Sequence, residues 1–162
     1  VRVYIIRHGK AQSDSPSGRD EDRALRKRGQ KQASWLAEEL EASRRPPDPI
    51  LSSPLLRAWQ TSELLADSLG TEIIELPTLA LGHPPSDVIE SLGEFLERRS
   101  PDAVALVGHN PQLEWLVAVL TEGPTAEPIR LRTGQCAVVD FRGSSPSVGG
   151  GTLSGLWRFD DD

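Results

Sequence analysis

The 162-residue chain contains one cysteine, Cys136, so no disulfide can form within it. No apolar run approaches the length needed to cross a bilayer. The first apolar run is cut short by Arg7-His8-Gly9 and does not read as a leader. These absences set the expectation of a cytoplasmic protein with no membrane association. Also missing is any Lys/Arg block with interleaved aromatics. The one short basic run, Arg26-Lys27-Arg28, follows the acidic Asp20-Glu21-Asp22, and the net charge is −6. That balance argues against a nucleic-acid partner, and it means that cations holding an anionic ligand must be gathered locally. Neither an internal repeat nor a linker divides the chain, so residues 1–162 read as one domain. The three histidines, His8, His83 and His109, lack close ligand spacing. No metal and no cofactor are therefore expected.

What is present is a regular alternation. Five of the first six residues are apolar and lead straight into Arg7-His8-Gly9, the pattern of a buried strand ending in reactive groups. A strand ending in solvated polar residues would look the same. Residues 12–22 are polar loop. Lys27 to Ser43 carries Ala33, Leu36, Ala37 and Leu40 at helical spacing. Ile50-Leu51-Ser52 predicts a short second strand. Ser53-Pro54 then predicts a helix start, Ser as N-cap and Pro at the first position, with the helix running to about Leu69. Arg57 falls in its first turn, where a cation is favoured only if an anion is near. Thr71 to Leu76 predicts a third strand, and Ser86 caps a helix reaching Arg99. Ala103 to Val107 is apolar at every position, as in a central parallel strand. His109 follows it, and Asn110-Pro111 reads as the cap and first turn of a further helix. Residues 135–141 and 152–159 predict an antiparallel hairpin, and Asp160–Asp162 a frayed tail. Strands alternating with helices give a three-layer α/β/α sandwich with a mostly parallel sheet and an antiparallel C-terminal edge.

In open α/β sheets, ligands bind at the carboxyl ends of the strands. Arg7 and His8, Arg57 and His109 all fall at such ends, together with helix N-termini. Guanidinium forks and unpaired helix N–H groups describe an anion site.

Ile6-Arg7-His8-Gly9, Ser52 through Thr61 and Val107-Gly108-His109-Asn110-Pro111 resemble, in order, the three hallmark blocks of the histidine phosphatase superfamily, whose fold is phosphoglycerate mutase-like. The Arg-His-Gly-Lys-Ala form, the short chain, and Arg23-Ala24-Leu25 followed by Gly29 resemble its SixA-type phosphohistidine phosphatase branch. The resemblance spans Val1 to about Val139. It implies that His8 is a nucleophile forming a covalent phosphohistidine, that Arg7, Arg57 and His109 hold the phosphoryl oxygens, and that no metal takes part. The attacking nitrogen must be unprotonated, so the other ring nitrogen of His8 should donate to a carbonyl.

The chain departs from the family pattern in places. Residues 76–83 hold no carboxylate where many members carry a Glu general acid. An alkoxide leaves poorly unless protonated, whereas a phosphohistidine whose ring carries a proton leaves as neutral imidazole. The missing Glu thus points to a phosphorylated protein as substrate, ahead of a small phosphomonoester or a non-catalytic phosphate-binding role. Asp14 stands near the mutases' Asn, and Arg26 replaces a frequent Thr helix cap. His83 and Asn110 are further candidates for the site, though a histidine in such a loop is more often just partly exposed. Asp20 and Asp22 are alternative proton carriers. Trp35, Trp59, Trp115 and Trp157 read as packing residues, and Cys136 as a buried apolar side chain.

Overall fold

A computed structural model describes residues 1–159; the expected tail, Asp160–Asp162, lies outside them. Six strands form one sheet in the order β3-β2-β4-β1-β5-β6. They are β1 (Arg2–Arg7), β2 (Ile50–Ser52), β3 (Ile73–Glu75), β4 (Ala103–Gly108), β5 (Cys136–Asp140) and β6 (Thr152–Trp157). The first four run parallel, and β5 and β6 add an antiparallel edge. Four helices, α1 (Lys27–Ala42), α2 (Leu56–Leu69), α3 (Pro85–Arg99) and α4 (Gln112–Glu122), complete the α/β fold.

Alternation along the central strands makes two cores. Val3 and Ile5 of β1, with Val104 and Leu106 of β4, pack with the apolar faces of α3 and α4. Tyr4 and Ile6, with Ala105 and Val107, pack with α1 and α2. β1 and β4 are thus covered on both faces, which is why their sequences read as continuous apolar runs. Cys136 is fully buried in the second core, and that burial pushes its thiol pKa up, so it is inert. Trp35 and Trp157 pack against the same core. Trp115, expected to pack, is 42% exposed instead. No helix among the described residues is long and apolar enough to cross a membrane.

Helix starts differ from the expectation, and each difference has a tertiary cause. α2 begins at Leu56 with no side-chain cap. Ser53 Oγ does accept the Leu55 N–H at 3.2 Å, but it also pairs with His109 Nε2 at 2.7 Å. α4 begins at Gln112, with Pro111 at the cap position. The Asn110 side chain is drawn away, its Nδ2 donating to Leu131 O at 2.7 Å. α3 opens with Pro85 at its first position rather than behind Ser86. α1 has Arg26 at its cap position and no side-chain bond there, as the loss of a Thr at that place predicts.

Candidate active site

The strand order sets the site. β2, β4 and β1 are consecutive neighbours, with Ser52 opposite Val107 and Arg7 opposite Gly108. The residues that follow these strands, Ser53, His109 and His8, therefore emerge side by side at one edge. Backbone bonds continue the ladder past the strand ends. His8 N donates to Gly108 O at 3.1 Å and Ser53 N to Val107 O at 2.9 Å.

The loop leaving β1 is held from two sides. Gly9 N donates to Thr61 Oγ1 at 3.1 Å, and that hydroxyl donates to Arg57 O at 2.8 Å. Lys10 N donates to Gln32 Oε1 at 2.9 Å. Gly9 packs on Gly29 of α1: a Cβ at Gly29 would lie 2.2 Å from Lys10 O, and one at Gly9 would lie 2.6 Å from Gly29 O. Both positions need glycine because two backbones touch there.

His8 and His109 are buried, with ring centroids 5.1 Å apart. His8 Nδ1 lies 2.7 Å from Gly9 O. A carbonyl only accepts, so Nδ1 carries the proton and Nε2 keeps its lone pair, as the sequence reading requires. Burial, aided by Arg57, Arg7 and Arg23, lowers the His8 pKa to about 4 against the pull of Gly9 O. His109 falls to about 3, chiefly through burial, with His8 and Arg57 adding to the effect. Both rings are neutral near pH 7.

Arg7, His8, Arg57, His109 and Asn110 line an open cavity of about 380 Å³, together with Lys10, Asp20 and Arg23. The structure thus brings together the four residues singled out from the three sequence blocks, and Asn110 with them. Burial lowers the pKa of both Arg7 and Arg57, although guanidinium stays charged. Arg7 Nη1 donates to Leu131 O at 3.2 Å. Arg7 Nε, Arg57 Nε, His109 Nδ1 and Asn110 Oδ1 are buried without a hydrogen-bond partner among the described residues. Such atoms are costly, and in a native fold a concentration of them marks a site with unspent bonding capacity.

His83 does not line this cavity. Its Nδ1 pairs with Asp87 Oδ2 at 3.0 Å, and it lines an adjoining, more apolar cavity that His109 and Asn110 also border. Asp22 also stays away, its carboxylate accepting from Ser17 Oγ at 2.7 Å. Asp14 accepts the Ser15 N–H in the exposed loop. Asp20 does reach the cavity. Its backbone oxygen accepts from Arg57 Nη1 at 2.9 Å and its Oδ2 from Arg57 Nη2 at 3.1 Å. Arg23 Nε donates to its Oδ1 at 2.8 Å. Arg23 first, then Arg57, hold this carboxyl below the usual range, so it stays ionised. Sequence reasoning missed Ser53 and Thr61 as supports for His109 and for the loop after β1. Their position directly after β2, or one turn beyond Arg57, was the only available signal. Among the described residues no group of His, Cys, Asp and Glu is arranged to hold a metal ion.

An arrangement of a deprotonated imidazole nitrogen among guanidinium groups suits attack on a phosphoryl group and charge stabilisation during transfer. Comparison with known proteins agrees with this. Residues 3–80 match the model of the histidine phosphatase superfamily, branch 1. An uncharacterised protein of Picosynechococcus is 32% identical over 152 residues, spanning 91% of this chain and 88% of that protein. The phosphohistidine phosphatase SixA of Escherichia coli is 32% identical over 129 residues, 77% of this chain and 77% of its own length. The structure of the protein histidine phosphatase SixA complexed with tungstate superimposes with a TM-score of 0.82 at 28% identity, covering 98% of this chain and 97% of that one.

Proposed function

Because the chain belongs to the histidine phosphatase superfamily, in its SixA-type branch, we propose that this phosphatase acts on phosphohistidine in a protein, through a covalent intermediate on His8. Residues 1–162 serve as one histidine phosphatase domain in this reading. Arg7, Arg57 and His109 bind the phosphoryl oxygens. His8 Nε2 attacks phosphorus, forming a new N–P bond as the substrate's N–P bond breaks. The leaving imidazole takes the electron pair and departs neutral, having arrived with a proton on its other nitrogen. Phosphorylated His8 is the same kind of species, with its Nδ1 proton held by Gly9 O at 2.7 Å. Water then attacks phosphorus, His8 leaves as a neutral ring, and both water protons stay on the phosphate product. Gly9 O thus serves both half-reactions by keeping one tautomer.

The observation that carries the substrate class is the state of Asp20. It is the only carboxylate among the described residues lining the cavity, and Arg23 and Arg57 keep it ionised. An ionised carboxylate has no proton to give to an alkoxide. A phosphohistidine that brings its own proton needs none. Tungstate in the SixA complex, a tetrahedral oxyanion, fits a phosphoryl pocket of this composition.

The test is a substrate panel with a trapping experiment. Phosphohistidine should turn over faster than sugar phosphates and nucleotides, and radiolabelled phosphate should be trapped on His8 as an acid-labile adduct that His8→Ala lacks. Faster turnover of the esters overturns the substrate class. A labelled His8→Ala protein overturns the nucleophile.

A further inference from the structure

A second cavity, of about 400 Å³, shares Arg7, Lys10 and Thr133 with the first. It gathers Arg7, Lys10, Arg28, Arg130, Arg132 and Arg158 around Glu114, the one carboxylate among the described residues lining it. These are six of the 18 lysines and arginines of a chain whose net charge is −6. They come from the end of β1 and the loop after it, the start of α1, the segment before β5 and the residue after β6, so the fold rather than a sequence run assembles them. Glu114 is partly spent, its Oε2 accepting the Leu131 N–H at 2.8 Å. Lys10, Arg130 and Arg132 are exposed, and among the described residues their side chains make no hydrogen bond or ion pair. A scatter of solvated cations would not concentrate in one cavity beside the nucleophile of an acidic protein.

We propose that this cavity is a specificity subsite that receives an acidic side chain of the phosphoprotein next to its phosphohistidine. The inference rests on the phosphohistidine reading above and adds to it which phosphoproteins are preferred. The kind of anion follows from the donors. A compact phosphate site needs donors converging on one point, whether backbone N–H groups or guanidinium groups. Here three of the backbone donors are spent: Lys10 N on Gln32 Oε1 at 2.9 Å, Leu131 N on Glu114, and Arg132 N on Gln135 Oε1 at 2.8 Å. Recognition falls to long side chains spread along an open rim, which suits carboxylates carried on a protein surface rather than a second compact phosphate. Since Arg7 borders both cavities, the carboxylate lies immediately beside the scissile phosphoryl group.

The experiment uses two synthetic peptides, each with one phosphohistidine, flanked by glutamates in one and glutamines in the other, with phosphoramidate as a third substrate lacking flanks. The wild-type protein should favour the glutamate peptide about tenfold in kcat/KM at low salt, and salt should erode the preference. The double variant Arg130→Gln/Arg132→Gln should abolish it while leaving phosphoramidate hydrolysis unchanged. Should the double variant melt lower, Arg130→Gln alone should reduce the preference with phosphoramidate hydrolysis again unchanged. Equal turnover of the two peptides by the wild-type protein overturns the subsite and leaves the phosphohistidine reading intact. So does a double variant that slows phosphoramidate as much as the glutamate peptide. If esters are hydrolysed and none of the three N–P substrates is, the substrate class fails and the subsite fails with it.

Discussion

The carboxylate of Asp20 rests on the guanidinium of Arg57, Oδ2 to Nη2 at 3.1 Å, across the mouth of the cavity that holds His8. Arg57 is only 3% exposed, so the arginine proposed to bind phosphoryl oxygens already faces an anion. A phosphoryl group that pairs with Arg57 competes with that carboxylate. Asp20→Asn should therefore tighten inhibition by inorganic phosphate, by about 3- to 10-fold because the pair is part-exposed. Arg57→Ala should weaken the same inhibition and slow turnover. Inhibition constants measured at fixed salt check both. A hundredfold loss of kcat in Asp20→Asn would instead make Asp20 a proton donor.

The two histidines predict a pH dependence of stability. In the unfolded chain each binds a proton near 6.5, and in the folded protein only near 4 for His8 and 3 for His109. Between those limits the unfolded state binds more protons, so their contribution is complete above pH 6.5 and is lost as pH falls from 6.5 toward 4 and below. A drop from 6.5 to about 4 corresponds to roughly 3 kcal/mol for His8 alone. Urea unfolding at pH 7.5 and 4.5 should show this loss, and His8→Ala should reduce it.

Activity should survive further into acid than a free imidazole would allow. With the His8 pKa at about 4, the acid limb of kcat/KM is expected below pH 5. A limb centred near 6.5 would show that the nucleophile titrates as a solvated histidine and would contradict the buried site.

Ser53 positions His109 through the 2.7 Å bond between its hydroxyl and Nε2. Ser53→Ala should lower kcat about tenfold while changing KM little, and should cost about 1–3 kcal/mol of stability because a buried ring nitrogen and the Leu55 N–H lose a partner. Ser53→Thr should restore much of the activity. If alanine lowers stability with kcat unchanged, Ser53 is only a structural residue.

Gly29 and Gly93 both lie in helices, and their substitution by alanine should have opposite signs. At Gly29 a Cβ meets Lys10 O at 2.2 Å, so the backbone under His8 must shift, at a cost of about 1–3 kcal/mol and with loss of activity. At Gly93 a Cβ meets nothing within 4 Å, and alanine should stabilise α3 by roughly 0.5–1 kcal/mol. Thermal melts and assays of the two variants make the comparison.

Much of this architecture is legible in the amino-acid sequence. Continuous apolar runs marked β1 and β4 because strands covered on both faces leave no polar positions, and the helical stripes of α1 and α3 follow the same logic. Arg7, His8, Arg57 and His109 could be singled out because each lies at the end of a strand, or shortly after one, that the sequence pattern locates. Local signals failed where tertiary bonds outcompeted them. Ser53 and Asn110 carry good capping chemistry, but Ser53 bonds His109 as well as Leu55, and Asn110 bonds Leu131, which lies 21 residues away. His83 and Asp20 were indistinguishable as polar loop residues until packing turned one toward Asp87 and the other onto Arg57.

By itself, then, the sequence determined the alternation of strands and helices, the residue types delivered to the strand ends and the absence of a carboxylate from residues 76–83. Those properties depend on periodicity and short-range order, which a linear chain carries. The tertiary structure alone decided that β2, β4 and β1 are neighbours, that Nδ1 of His8 faces Gly9 O, that Asp20 is held ionised, and that Lys10, Arg130 and Arg132 share one cavity. Each of these depends on which groups meet across long sequence separations, and burial together with neighbouring charge then sets how they ionise.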